Sequence, residues 1–459
     1  MENTRLYVGI ETKVREFDAK LLLACVAAEA GYDVVLGQQK MFLKRLGEMP
    51  HGILLNKSIS PSKAQKYAHY TKLGFKLVAY DEEGLAPFNA DEYQKRRVSF
   101  DSLKHLDYFF AWGPWQTEVI AQKAPSEQHK VIPAGHPRVD LTRKELRAFY
   151  DDEVKRLHEQ YGRFILINTN FSFYNHFKGR DFEVILQEKT KAGKVADEHQ
   201  HAYYMRVSEH KKSLFYEFAD MVVRLHQRFP DVSIILRPHP SEDHEYWRQT
   251  LPQHELIHVV HEGSVLPWIL AAAVMIHNSC TTGIEGYLLE QPVLSYRPVQ
   301  AEELEIPLPN LLSEQVLTCD ALLDRVDYYL VNEHEPHPPA DAAKREIVAR
   351  YITGLDGPLA CDRIVEKLNA VRISRATVGM RAYQAYMQLK GVKATLVNAL
   401  GKKNPSNTTK LEYRRQKFPG LEADEIRQVI AKFQRVSGRF ANIRVTQLEK
   451  NVFQILRAT

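Results

Sequence analysis

Short apolar runs alternate with helical patterns along most of this chain, and that alternation restricts the fold more than any other feature of the sequence. An apolar run at residues 5–10 is followed by a helical pattern at 17–30, which Gly31 stops, and then by a short buried strand at 34–36. Further strand-like runs fall at 52–55, 76–80 and 108–112. A second series begins after a charged helical stretch at 141–160. Its strands fall at 164–167, 232–236, 257–260 and 274–276, with helices at 212–229, 266–273 and 283–289. Strand and helix in repeated succession are the rhythm of a doubly wound α/β domain with a parallel sheet.

The chain has 459 residues, which is too long for one ordinary core, so two lobes in tandem are expected. The boundaries read as 1–150 for an N-terminal Rossmann-like domain and 151–340 for a second one. A loop at 334–340 with Pro336, Pro338 and Pro339 closes the second lobe. Residues 341–459 are expected to form a basic, mainly helical C-terminal extension with a helix at 422–436.

No stretch approaches the roughly 20 apolar residues of a membrane span, and the start MENTRLYVGIETK lacks a signal peptide's apolar run. The expected location is the cytoplasm. The four cysteines are scattered without CxxC pairing, so neither a zinc site nor a disulfide framework is expected. The net charge of +5 conceals an asymmetry: residues 371–450 carry 17 Lys plus Arg against 5 Asp plus Glu, or +12, leaving −7 for the rest. Such a patch suits anionic lipid headgroups, nucleic acid or a polyanionic substrate, and equally an ordinary solvated helical surface.

Residues that carry chemistry sit where strands end. Segment 234–240, IILRPHP, closes a buried strand with a cation, a rigid turn and an imidazole. Arg237 offers a fork of donors for phosphate, and His239 can donate to a phosphoryl oxygen or protonate it as it leaves. Further on, Asn278, Ser279, Thr281 and Thr282 precede a helix, with Gly283 open to a ligand's approach. Free N–H groups there, hydroxyls and the helix dipole make an anion site, although an ordinary N-cap uses the same residue types. Glu285 in the first turn is placed for a ribose hydroxyl, or simply as a favourable charge. Asn168 and Asn170, at another strand end, are candidates for polar donor contacts.

In the first lobe, Asp81, Glu82 and Glu83 follow a strand directly and Gly84 turns the chain. Clustered carboxylates repel, so one of them is expected to have a raised pKa and to take a proton from a hydroxyl; a solvated acidic loop is the plainer reading. The aromatic residues Trp112, Trp115, Phe171, Phe173 and Tyr174 are expected in core or interlobe packing.

Taken in order, a carboxylate-Gly element, an Arg-x-His-Pro element and a Ser/Thr-rich turn resemble bacterial transferases that use CMP-activated acidic sugars, the sialyl-, polysialyl- and Kdo transferases of the GT-B fold. The segments IETKVREFDAKLLLA, DEEGL, GHPRVD, NTNF, RPHP and HNSCTTGIEG are similar to surface carbohydrate biosynthesis proteins of O-antigen and capsule clusters. The likeness covers about the first 330 residues and departs from the transferases in having three acids before Gly84 where two are usual.

The resemblance implies two lobes facing across a cleft and catalysis by Glu82 or Glu83. It also implies a CMP phosphate held by His239 and the turn at 279–282, with no metal and no cofactor beyond the donor. The implied partners are a CMP-activated ulosonic or nonulosonic sugar and a glycan or lipid-linked glycan acceptor. The basic C-terminal part would lie against anionic inner membrane, with no nucleic acid involved. Rival readings are a CDP-polyol phosphotransferase, a sugar-nucleotide 2-epimerase and a non-catalytic assembly scaffold.

Overall fold

A computed structural model describes residues 4–85, 89–179, 182–191, 198–332, 342–373, 377–386 and 417–458. The proline-rich loop at 334–340 and much of the basic stretch, including 387–416, lie outside these residues. The chain divides into two compact units, Met1–Phe149 with Arg345–Thr459, and Tyr150–Lys344.

In the first unit, strands β1 (Arg5–Ile10), β2 (Asp33–Gln38), β3 (Ile53–Asn56), β4 (Lys76–Tyr80), β5 (Tyr108–Phe110) and β6 (Val131–Ile132) form a parallel sheet in the order β2-β1-β3-β4-β5-β6. Their residues are almost all buried, as strands covered on both faces by helices must be. In the second unit, β7 (Phe164–Asn168), β8 (Ser233–Arg237), β9 (Ile257–Val259), β10 (Val274–His277), β11 (Val293–Tyr296) and β12 (Glu314–Val316) form a six-stranded, wholly parallel sheet. Its order is β12-β11-β10-β7-β8-β9. The chain therefore runs outward from β7 to β9, returns to the middle, and runs outward again from β10 to β12. The reversal point between β7 and β10 is where open α/β sheets bind ligands, outside the carboxyl ends of the strands.

Two expectations need correction. The stretch at 141–160 is not one helix: a 3-10 turn at Lys144–Tyr150 leads into a helix at Asp151–Tyr161. The C-terminal segment is not a separate helical extension either. It contains an antiparallel hairpin, β13 (Ile443–Glu449) and β14 (Val452–Arg457), and β14 pairs antiparallel with β2, which makes the first sheet eight-stranded. Val452, Phe453 and Ile455 are buried there. The helix Ala423–Ser437 buries Ile426, Ile430 and Phe433, the last stacked on Phe149. Some of the basic charge is neutralised within the unit, since Arg439 pairs with Glu29 at 2.6 Å and Asp362 at 3.0 Å.

Asp140, in the GHPRVD segment, accepts the backbone N–H groups of Ala360 and Cys361 at 2.7 and 2.9 Å. It thereby satisfies the otherwise orphaned donors at the start of the helix Ala360–Leu368. No helix among the described residues is long and apolar enough to cross a membrane.

Candidate functional site

The reversal point of the second sheet is bridged by loop residues. The backbone N–H of Asn170, just past β7, donates to Asn278 Oδ1, just past β10, at 2.8 Å. The loop after β8 is joined to the same place by Glu242. This buried carboxylate accepts from Thr169 Oγ1 (2.9 Å), the Phe171 N–H (2.9 Å), the His239 N–H (3.1 Å) and Trp247 Nε1 (2.8 Å). Burial pushes its carboxyl above the ordinary value, although the donors from Phe171, Trp247, His239 and Thr169 pull the other way. The loops after β7, β8 and β10 are thus fixed as one surface by side chains whose hydrogen bonds are all internal.

His239 stands half-buried on that surface. Its Nδ1 accepts the Ser241 N–H at 3.2 Å, so a neutral ring carries its proton on Nε2. Arg237 is placed otherwise than the sequence suggests. It is buried, with its guanidinium over the Trp268 ring at 4.6 Å and donating to the carbonyls of Glu262 and Gly263 at 2.8 and 3.3 Å. Burial lowers it to about 9. Its donors bind the loop after β9 and do not stand open for phosphate.

The turn after β10 divides into inward and outward residues. Asn278 and Ser279 are buried, and Ser279 takes a left-handed backbone with φ of 54°. Its hydroxyl meets Asn310 and Glu305, and Glu305 also receives Arg297 Nε at 2.6 Å and Asn310 Nδ2 at 2.8 Å. Thr281 and Thr282 are half-buried residues, the Thr282 hydroxyl oxygen is itself buried without a hydrogen-bond partner among the described residues, and neither side chain caps the helix Thr282–Leu288. Gly283 is needed for a reason internal to the fold. A Cβ there would lie 2.5 Å from Nε2 of His277, which sits buried beneath the turn and bonds Ser313 Oγ at 2.7 Å. Glu285 is half-buried in the first turn of that helix. The Asn168 side chain turns back onto the sheet, with Nδ2 3.0 Å from Met275 sulfur, while Asn170 contributes its backbone.

In the first unit the three acids have three different surroundings. Asp81 is fully buried and held by Arg97 and by Tyr93 Oη at 2.9 Å. Glu83 is at the surface, 3.1 Å from Arg97 and 3.7 Å from Arg15. Glu82 is buried 2.9 Å from Lys20 Nζ and 3.6 Å from His136 Nε2. Beyond the lysine, neither of its oxygens accepts a hydrogen bond among the described residues, and Tyr80 Oη and His136 Nε2 are likewise buried without partners. Four such atoms in one cluster call for a water or a ligand hydroxyl.

The expectation of a raised carboxylate is not met at Glu82. Burial acts upward, but Lys20, Arg15 and Arg138 outweigh it and hold the group below the ordinary glutamate value. Burial, with Arg138, Lys20 and Arg15, drives His136 well below its usual value, so its imidazole is neutral. The ring stacks on Trp112 at 4.0 Å and 7°.

The residues that sequence reading missed are Glu16, Lys20, His136, Lys211, Glu242 and Glu305. Lys20 and Glu16 look like an exposed i,i+4 pair on a helix, yet both are buried, with Lys20 also donating to the Gly9 carbonyl at 2.7 Å.

No family model matches this chain, and no curated protein does. Among solved structures it is similar to the UDP-GlcNAc 2-epimerase of Methanocaldococcus jannaschii in complex with UDP-GlcNAc and UDP, at 13% identity and a TM-score of 0.47 over 80% of this chain and 100% of the other. It is also similar to the wall teichoic acid polymerase TagF, at 10% identity and a TM-score of 0.42 over 80% of this chain and 88% of that one. A glycosyltransferase from Rickettsia africae matches at 11% identity and a TM-score of 0.43 over 80% and 98%. Likenesses this distant identify neither substrate nor reaction.

Proposed function

We propose that this chain is a metal-independent glycosyltransferase that moves an acidic ulosonic or nonulosonic sugar from a CMP donor to a hydroxyl of a lipid-linked or surface glycan. The second unit is the donor side. The observation that carries this reading is the tying of three loops at the reversal point of the second sheet, where Asn170 N–H bonds Asn278 and Glu242 joins the His239 loop to the loop after β7. The choice of cytidine and of an acidic sugar rests on the motif resemblance.

In this reading the acceptor oxygen bonds to the anomeric carbon while the anomeric C–O bond to phosphate breaks and CMP leaves. His239 Nε2–H donates to the departing phosphate, whose charge is stabilised in place. For an inverting displacement, the proton lost by the acceptor goes to a carboxylate of the first unit. Glu83 and Glu82 are the candidates, and what supports Glu82 is that, beyond Lys20, its buried oxygens and His136 Nε2 have no hydrogen-bond partner among the described residues. The basic residues between 371 and 450 would keep the enzyme at the anionic inner membrane, where such acceptors reside.

Thermal shift and calorimetry with CMP, CDP, UDP and GDP test the donor. CMP is expected to bind and to raise the melting temperature. Binding of UDP without CMP removes the CMP assignment, and conversion of a UDP-sugar with no acceptor present points to an epimerase. Preference for CDP-glycerol points to a phosphotransferase, and indifference to every nucleotide points to a scaffold.

A further inference from the structure

The helix Lys13–Glu29 carries a buried lysine whose needs are met in full within the first unit. Lys20 Nζ donates to the Gly9 carbonyl at 2.7 Å and to Glu16 Oε2 at 2.6 Å, and it lies 2.9 Å from Glu82 Oε1. An ammonium has three donors, and these contacts use all of them. Glu16 is held in addition by the N–H groups of Glu11 and Thr12 at 2.9 and 3.2 Å. What the lysine leaves over is the other oxygen of Glu82. That oxygen lies 3.6 Å from His136 Nε2, too far for a hydrogen bond, and neither atom has a hydrogen-bond partner among the described residues.

Both groups are anchored on either side of that gap. His136 Nδ1 accepts the Arg138 N–H at 3.2 Å, so the neutral ring carries its proton on Nε2. The ring stacks on Trp112 at 4.0 Å, meets the Tyr80 ring at 4.5 Å and 66°, and Trp112 is itself fixed by donating from Nε1 to the Asp81 carbonyl at 2.5 Å. Glu82 is held from its other oxygen by Lys20. A donor and an acceptor thus stand apart on side chains under a tenth exposed, and buried polar atoms left this way are the exception in folded proteins. An anion there would meet the free oxygen of a carboxylate, and a cation would meet the imidazole N–H with Lys20 on the same carboxylate. A hydroxyl suits both atoms, since its oxygen accepts and its proton donates. The surface is close by: Arg15, which donates to the Glu82 carbonyl at 2.9 Å, also lies 3.7 Å from the exposed carboxylate of Glu83.

We propose that His136 and Glu82 form a hydroxyl-binding subsite of the first unit, which takes one hydroxyl of a sugar or polyol as acceptor from His136 Nε2–H and donor to Glu82 Oε2. That this hydroxyl is the glycosyl acceptor's rests on the function proposed above; the subsite itself does not. In that reaction the hydroxyl proton passes to Glu82 Oε2 as the oxygen bonds the anomeric carbon, and CMP leaves with the electron pair of the broken C–O bond. His136 keeps its proton throughout and holds the attacking oxygen in place.

The test titrates glycerol, methyl β-galactoside and methyl β-N-acetylglucosaminide, each with and without CMP, into wild type, His136→Phe and Glu82→Gln, and follows binding by saturation-transfer NMR. His136→Phe keeps a ring against Trp112 and Tyr80 and removes the N–H. In Glu82→Gln the amide oxygen stays with Lys20, which sets the NH2 toward His136 and removes the acceptor. At least one probe should bind wild type, and both variants should bind it at least about tenfold more weakly. A wild type that binds none of the probes overturns the proposal. So do variants that bind them like wild type, because the pair would then be purely structural; if His136→Phe fails to fold, Glu82→Gln decides. Turnover of CMP-N-acetylneuraminate and CMP-Kdo separates the two readings. If probe binding depends on both residues but neither CMP-sugar is consumed, the subsite stands and the glycosyltransferase reading falls. If a CMP-sugar is consumed and His136→Phe matches wild type in both turnover and probe binding, the donor reading stands and this proposal falls.

Discussion

The Asn170 backbone N–H and the Asn278 side-chain oxygen lie 2.8 Å apart across the gap where the second sheet reverses its strand order. The donor is main chain and the acceptor is side chain, so the two asparagines are not equivalent. Asn278→Ala leaves a partly buried N–H without its partner and should cost about 1 kcal/mol. Asn170→Ala keeps the bond and should stay within about 0.5 kcal/mol of wild type. Urea midpoints compare the two, and equal losses would show that the bond does not hold the loops.

Glu242 gathers donors from three segments, so its replacement should be felt well beyond its own position. Glu242→Gln substitutes an NH2 for one acceptor oxygen and sets donor against donor at Trp247 Nε1 or at the Phe171 and His239 N–H groups. A loss of about 3 kcal/mol is expected, because the bonds involve a buried charged acceptor. CMP binding should weaken as the His239 loop loosens. A variant with wild-type stability and intact binding would remove Glu242 from the site's framework.

Much of the fold was legible because buried parallel strands are written as short apolar runs, and the runs at 5–10, 76–80 and 164–167 mark β1, β4 and β7 nearly residue for residue. The C-terminal hairpin was not. In β13 only Val445 is buried, the turn uses Asn451 at φ 61° where a glycine would have signalled it, and the partner strand β2 is remote in sequence. The site was legible as a set of loops but not in its inner chemistry. Nothing local distinguishes Arg237, which secures a neighbouring loop, from an arginine open to phosphate. Nothing local reveals that Lys20 neutralises Glu82 or that Gly283 is required by His277, since each of those partners is supplied by tertiary packing.

Gly283→Ala isolates one of these relationships. A methyl group would stand 2.5 Å from His277 Nε2, which is hemmed in by the Ser313 bond on one side and by the Cys280 N–H on Nδ1. Something must shift, at an expected cost of about 1–3 kcal/mol. Shortening His277 in the same chain should recover part of the loss. Additive losses in the double variant would mean that the glycine serves another purpose.

The first unit's acids separate by substitution. Under the proposed chemistry, Glu82→Gln lowers turnover by at least about a hundredfold, the usual scale for a lost acid–base group, and leaves CMP affinity nearly intact. Glu83→Gln, at the exposed position, changes turnover far less. His239→Ala lowers both turnover and CMP affinity. Because Lys20 and the nearby arginines hold Glu82 below the ordinary glutamate value, its ionised form persists down to more acidic pH than a free side chain's. The acid limb of the rate profile should therefore fall only below about pH 4.5 if this group sets it. A limb near pH 6 would assign the titration elsewhere.

His277 makes the stability of the second unit depend on pH, with a sign fixed by its surroundings. Burial, and then Lys211, lower it to about 3, while an unfolded chain restores the ordinary value near 6.5. Between those limits the unfolded state binds a proton that the folded state refuses. The contribution of the neutral ring is complete above about pH 6.5 and is lost as the pH falls, by about 1.4 kcal/mol per unit. His277→Gln should start less stable at pH 7, because the bonds to Ser313 and Cys280 are disturbed, yet should lose stability less steeply toward pH 5. Hydrogen exchange at the β10 amides at pH 7, 6 and 5 reads the slope in this unit. Other buried histidines add to both proteins equally, so the difference between the two slopes is the quantity that matters. Identical slopes would mean that His277 is protonated, or accessible, in the folded state.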